Sequence, residues 1–86
     1  MSQAGDAATL AALEAQLREL TMVLGRLRFA RRQLVPPPAT FWRGTARHAY
    51  DAAIDAIAMT VDAAIAAVTS ARDRTTDAVA RLGTRG

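Results

Sequence analysis

The side chains that could carry out chemistry in this sequence do not form a catalytic set. His48 is the single histidine and there is no cysteine, which excludes thiolate nucleophiles and cysteine-based metal sites. A lone histidine cannot build a metal cluster without further ligands. No nucleophile, base and orienting group can be assembled, and no glycine-rich phosphate loop is present. The sequence therefore predicts a non-enzymatic protein with no cofactor and no small-molecule substrate.

Arginine supplies the one marked charge pattern. All eleven basic residues are Arg, a bias that fits a GC-rich, for example actinobacterial, genome. Six of them, and no acid, fall between Leu20 and Tyr50, whereas the rest of the chain has eight acids and five Arg. This basic end could be merely solvated, or it could contact an acidic protein, anionic lipid or nucleic acid. No nucleic-acid-binding motif accompanies it. The basic end comprises Arg26, Arg28, Arg31, Arg32, Arg43 and Arg47.

A regular leucine pattern indicates the element that carries most of these arginines. Leucines recur in alternating steps of three and four, which is typical of a helix that packs along one heptad seam. Only Arg31 interrupts the rhythm. With Asp6 as its N-cap, the helix is predicted over about residues 7–34. The seam comprises Leu10, Leu13, Leu17, Leu20, Leu24, Leu27 and Leu34.

Three consecutive prolines, Pro36 to Pro38, end this helix and begin a turn predicted over residues 35–44. A second helix is predicted over about residues 45–82, capped by Thr40 or Thr45, with Gly83 just past its end. If both helices leave the turn together, the last ten or so residues of helix 2 would overhang helix 1. Its seam is Tyr50, Ile54, Ile57, Val61, Ala64, Val68, Ala71, Thr75, Ala78 and Leu82, widened by Ile65 and Val79.

We expect that one chain of this size does not form a sufficient core, because 86 residues rich in alanine bury little apolar area. Helix 1 also carries a second stripe, with Ala8, Ala15, Met22 and Phe29 at strict intervals of seven. That stripe lies opposite the seam, on a face that is polar in a solvated helix. We therefore expect an all-α, antiparallel two-helix hairpin that pairs into a four-helix bundle as a dimer. The expected interface comprises the leucines from Leu10 to Leu27, Met22, Phe29, Ile54, Ile57, Val61, Ile65 and Val68.

The most apolar stretch, residues 52–71, is not interpreted as a membrane span. It contains Asp55 and Asp62, each of which costs about 2.5 to 3.5 kcal/mol at a bilayer centre. The first ten residues have no basic residue and no continuous apolar run, so no secretory signal peptide is expected. If the protein is exported, we expect a route without a cleaved leader.

A Trp-x-Gly turn at mid-chain gives the sequence its most specific resemblance. Trp42-Arg43-Gly44 has 41 residues before it and 42 after it, and it separates the two predicted helices. Over its whole length the chain resembles the WXG family, the early-secreted-antigen-like small proteins of type VII (ESX-like) secretion, although it is shorter than usual for that family. The resemblance implies a dimerising hairpin whose turn is shaped by Trp42 and Gly44. Glycine permits a backbone angle or close approach that a side chain prevents.

The chain departs from the family at the export signal. Members that carry the signal have Tyr-x-x-x-Asp/Glu after the second helix, whereas the only tyrosine here is Tyr50 and Ile54 stands four residues later. The resemblance then implies a homo- or heterodimer, preferably a heterodimer, with a WXG-like protein or larger effector that supplies the signal. The protein would be cytoplasmic before export and secreted afterwards. The alternative is an intracellular coiled-coil adaptor or nucleic-acid-associated protein that uses the basic end.

Overall fold

The computed structural model describes residues 3–35 and 44–85, and within them the chain is an antiparallel pair of α-helices. Helix α1 spans Gln3–Arg32 and helix α2 spans Thr45–Arg85. No strand occurs in these two segments. The predicted helical hairpin is confirmed, and its principal extents of 67 × 15 × 14 Å describe a thin rod.

Both helices extend further at their outer ends than the sequence predicts. α1 starts before Asp6, so Asp6 lies in the first helical turn instead of at the N-cap. There the negative charge of its carboxylate still interacts favourably with the positive end of the helix dipole. α2 continues through Gly83 to Arg85, so Gly83 is not the C′ residue. These terminal turns stay helical because the helices pack along the seam, and this packing outweighs weak helix-end signals in the sequence.

The start of α2 is set by Gly44. Its φ angle of 65° lies in the left-handed region that glycine adopts readily. Its carbonyl accepts the first helical bond, from the His48 amide at 3.2 Å. Gly44 therefore occupies the N-cap position and Thr45 is the first helical residue, which corrects the prediction of a Thr45 cap. The other predicted cap, Thr40, lies outside the described residues.

Two bonds between the helices fix their alignment. Gln16 Nε2 donates to Thr75 Oγ1 at 3.0 Å, and Arg31 Nε donates to Asp62 Oδ1 at 2.8 Å. Counting along the helices from these pairs, Arg32 lies opposite about residue 60 of α2, and Gln3 lies near the end of α2. The overhanging part of α2 is therefore its first fifteen or so residues, a stretch of about 22 Å. The predicted overhang at the other end is wrong, because contacts along the seam, and not a tight turn, align the helices.

By length and composition, α2 could cross a membrane, yet only 6% of its most apolar window is buried in the hairpin. Of the two aspartates in residues 52–71, Asp62 is paired with Arg31 of α1. Most of the apolar surface of α2 is therefore exposed in the hairpin.

Candidate interaction surface

The leucine seam of α1 lies against α2 of the same chain. Every predicted leucine from Leu10 to Leu34 is half-buried or buried, and Leu24 is only 1% exposed. Arg31 takes its place in the same row, where it is half-buried and reaches Asp62. The heptad prediction for α1 is thus confirmed. Most of the predicted interface leucines hold the hairpin itself together, and they are not free for a second chain.

The seam of α2 also follows the prediction, with one exception. Half-buried or buried positions include Ile54, Val61, Ile65, Val68 and Thr75. Ile57 is 47% exposed, and the neighbouring Ala58 is half-buried in its place. Ile57 therefore lies at the edge of the seam of α2, and not in it.

A polar contact interrupts the apolar seam at its centre. Thr75 is 4% exposed. Its hydroxyl donates to the Ala71 carbonyl at 2.9 Å and accepts from the Gln16 amide at 3.0 Å. Both hydrogen-bonding capacities of the hydroxyl are satisfied, which removes the penalty for burying it. A polar pair inside a heptad seam favours one alignment of the helices over others.

The two long sides of the hairpin differ in charge. Positions on each helix can be assigned to a side from the heptad repeat, with the Arg31–Asp62 bond on one side and the Gln16–Thr75 bond towards the other. The charged side carries Glu14, Arg18, Arg28 and Arg32 from α1 and Asp51, Asp55, Asp62 and Arg72 from α2. The uncharged side is named for its central row, which comprises Val23 and Ala30 from α1 and Ala53, Ile57, Thr60, Ala64 and Ala67 from α2. Glu19 and Arg26 of α1 lie at its outer edge, as far from the seam as Arg18 and Arg32 on the charged side. The uncharged side is bounded at one end by Arg74.

The second stripe of α1 is exposed, as its position opposite the seam predicts. Met22 is 55% exposed and Phe29 is 58% exposed. The Arg32 guanidinium lies 5.9 Å from the centre of the Phe29 ring, within the range of a cation–π contact. An open groove of about 470 Å³, lined by Leu17, Arg18, Thr21 and Met22, runs beside the stripe. Helix α1 therefore presents apolar surface to solvent on its outer face.

Helix α2 has an outer stripe that the sequence analysis missed. Seven exposed, uncharged residues recur in steps of three and four along the face opposite the seam, which is a second heptad pattern on the same helix. Met59 near its centre is 73% exposed. Reading α2 for two seams instead of one would have found it. The stripe comprises Ala49, Ala52, Ala56, Met59, Ala63, Ala66 and Ser70.

The basic end is less basic in the structure than along the sequence. Arg31 pairs with Asp62 at 2.8 Å, and Arg47 pairs with Asp51 at 3.0 Å within α2. Two of the six arginines are therefore paired with acids of α2. The sequence window without acids therefore does not become a surface without acids. Arg26 and Arg28 form no ion pair with any described residue, and Arg43 lies outside the described residues.

The Trp-x-Gly turn is described only at its last residue. Trp42 and Arg43 lie outside the described residues. A Cβ added at Gly44 would meet no atom within 4 Å. Of the two reasons predicted for this glycine, the structure supports the backbone angle and does not support a close approach.

No group of three His, Asp or Glu side chains able to hold a metal ion occurs in residues 3–35 and 44–85. The features that stand out in this part of the chain are apolar and exposed. No family model, no curated protein and no solved structure matches the sequence.

Proposed function

We propose that this chain is a non-enzymatic partner subunit of type VII (ESX-like) secretion, a hairpin that completes its core against a second helical chain and helps to target it for export. The main observation in favour of pairing with a second chain is the small size of the hydrophobic core. Among the described residues, Leu24 is the only buried apolar side chain and Thr75 the only buried polar one. A hairpin with so little buried surface gains little from the hydrophobic effect alone.

Surface area supports the same conclusion. The chain exposes 6328 Å², whereas a compact monomer of 9.1 kDa would expose about 4,900 Å². The difference, about 1,400 Å², exceeds the roughly 800 Å² that each partner buries in a standard protein–protein interface. A standard interface with a second hairpin would therefore cover a little more than half of this excess exposed area.

The uncharged side is the surface best suited to that association. It contains residues of both helices, which a four-helix bundle requires, because each hairpin must present both of its helices to the other. Its central row contains no charged residue, so a contact centred on that row leaves Glu19 and Arg26 at the rim, where they can stay solvated. Its small side chains let the helices approach closely. A WXG-like protein or a larger effector is the preferred partner, and a second copy is the alternative.

The proposed export role rests on the resemblance that the Trp-x-Gly motif between two long helices carries. The sequence contains no Tyr-x-x-x-Asp/Glu, so the proposed partner supplies the export signal. The protein is then present in the cytoplasm before export and outside the cell afterwards.

An intracellular adaptor or nucleic-acid-associated protein remains the second candidate. It is favoured by Arg26 and Arg28, which have no ion-pair partner among the described residues. Such a protein would bind nucleic acid with an affinity that falls steeply with salt. A type VII partner subunit would instead bind a helical chain through apolar surface, with little dependence on salt.

The first prediction tests the uncharged side. Sedimentation equilibrium of the chain, alone and with a candidate partner, measures pairing. The double variant Val23→Asp, Ile57→Asp puts two charges into the proposed contact, so we expect at least a hundredfold loss of affinity, equivalent to about 2.7 kcal/mol. Thr21→Asp on the charged side is the matched control and keeps pairing. Met22→Asp, Phe29→Asp tests the outer stripe of α1 in parallel. A stable monomer in the unmodified chain, or unchanged pairing in the first variant, contradicts the proposal.

A further inference from the structure

The helix seam repeats itself closely enough to allow a second alignment. On α1 the seam is leucine at nearly every position, so α2 can slide by one heptad and still meet leucines. On α2 the central seam residues also repeat at intervals of seven: Val61 and Val68 are both Val, and Ala64 and Ala71 are both Ala. Apolar contacts therefore distinguish the two alignments only weakly.

The ion pair does not distinguish them either. Asp55 lies one heptad before Asp62 on the same side of α2. If α2 slides by seven residues, about 10 Å, Asp55 arrives opposite Arg31 at the place that Asp62 now occupies. Asp55 forms no ion pair with any described residue in the present alignment. It is thus available as a second partner for Arg31.

The hydrogen bond between Gln16 and the buried Thr75 belongs to one alignment only. One heptad before Thr75 stands Val68, which cannot accept a hydrogen bond from Gln16. One heptad before Gln16 stands Thr9, whose side chain is shorter and whose hydroxyl already donates to the Gly5 carbonyl at 2.9 Å. Sliding therefore breaks the Gln16–Thr75 bond at the most buried polar site of the described residues. A net hydrogen bond of this kind contributes about 0.5 to 1.5 kcal/mol.

The connection between the helices permits both alignments. In the present alignment the segment from Arg32 to Thr45 must cover about 22 Å along the rod, and in the slid alignment about 12 Å. A dozen residues reach roughly 40 Å when extended, so neither distance limits the hairpin. Sliding withdraws the overhanging start of α2 and extends its C-terminal end beyond α1. The partner surface then changes without any change in secondary structure.

We propose that the hairpin has two alignments one heptad apart and that the Gln16–Thr75 hydrogen bond selects the observed one. In the second alignment Asp55 replaces Asp62 as the partner of Arg31. The inference concerns the hairpin alone and does not depend on the export role.

The test is a distance measurement between spin labels on cysteines at Ala8 and Ala52, which are both exposed and outside the seam. The sequence has no native cysteine, so only these two sites are labelled. Labelled chain is diluted with excess unlabelled chain to suppress distances between molecules. In the observed alignment the labels lie about 50 Å apart, and the slide shortens the distance by about 10 Å.

We expect the labelled chain to give the long distance, and the Thr75→Val, Asp62→Asn variant to give the short one. Adding Asp55→Asn should return part of the population to the long distance, because neither alignment then has an ion pair with Arg31 or the Gln16–Thr75 bond. Thr76→Val is the matched control: Thr76 makes the same bond to a carbonyl four residues back, at 2.9 Å, but has no partner across the seam. Circular dichroism confirms that each variant keeps its helix content. A folded Thr75→Val, Asp62→Asn variant with only the long distance overturns the proposal.

Discussion

Two glycines show how backbone conformation, at the scale of single residues, decides the effect of a substitution. Gly25 lies inside α1 with nothing within 4 Å of an added Cβ. Gly44 has equally open space but a φ angle of 65°. Space alone would treat the two positions alike. The left-handed angle separates them, because a side chain on an L-residue is crowded in that conformation.

We predict opposite effects for the two alanine substitutions. Gly25→Ala should stabilise the chain by about 0.5 to 1 kcal/mol, because glycine in a helix interior loses more conformational freedom on folding. Gly44→Ala should destabilise it by about 1 to 2 kcal/mol. Urea unfolding followed by circular dichroism measures both at one protein concentration, since pairing shifts the apparent stability. A neutral Gly44→Ala would mean that the turn does not need the left-handed angle.

At the scale of the helices, the heptad pattern predicted more than the stop signals did. The α1 leucines and the matching α2 residues were placed correctly because burial follows a period that the sequence displays directly. The ends were displaced because Asp6 and Gly83 are weak signals that a packed helix overrides. The overhang was predicted at the wrong end of α2, because the alignment of the helices depends on the Gln16–Thr75 and Arg31–Asp62 contacts. These pairs are distant in sequence, so the heptad pattern does not show them.

Leu24 is where the packing of the two helices can be tested most sharply. It is the most buried apolar side chain in the described segments, so Leu24→Asp places a carboxylate where water is excluded. The cost of several kcal/mol is comparable to the whole stability of a small domain. We expect loss of helix content and of cooperative unfolding by circular dichroism. Thr21→Asp, one turn earlier on an exposed position, should keep both. Retained helix content in Leu24→Asp would show that the hairpin does not depend on this seam.

At the scale of the whole molecule, the surface matters more than the core. The rod has a charged side, an uncharged side and an exposed apolar stripe on the outer face of each helix. Sequence reasoning found the stripe of α1, because Met22 and Phe29 are large and stand at strict sevens. It missed the two sides, which become visible only when both helices are placed side by side. Composition cannot show which residues lie on each side, because the same apolar residues could equally form a buried core.

The last prediction concerns export by the proposed partner subunit. Tyr50 is half-buried in α2, and Ile54 stands at the position where the export signal requires an acid. Export should therefore require a co-expressed partner that carries Tyr-x-x-x-Asp/Glu. The measurement is a secretion assay in the native host with that partner deleted, with a cytoplasmic marker to exclude lysis. We expect the chain to disappear from the medium.

Degradation of an unpaired hairpin could imitate this result, because a poorly folded chain is removed by proteases. The control is a partner whose acid in the signal is changed to alanine while its helices are left intact. That partner should still bind and protect the hairpin, so the chain should accumulate inside the cell and be absent outside it. Undiminished secretion with the altered signal would show that this chain directs its own export. The proposed division between a hairpin without a signal and a partner with one would then be wrong, while pairing through the uncharged side would stand.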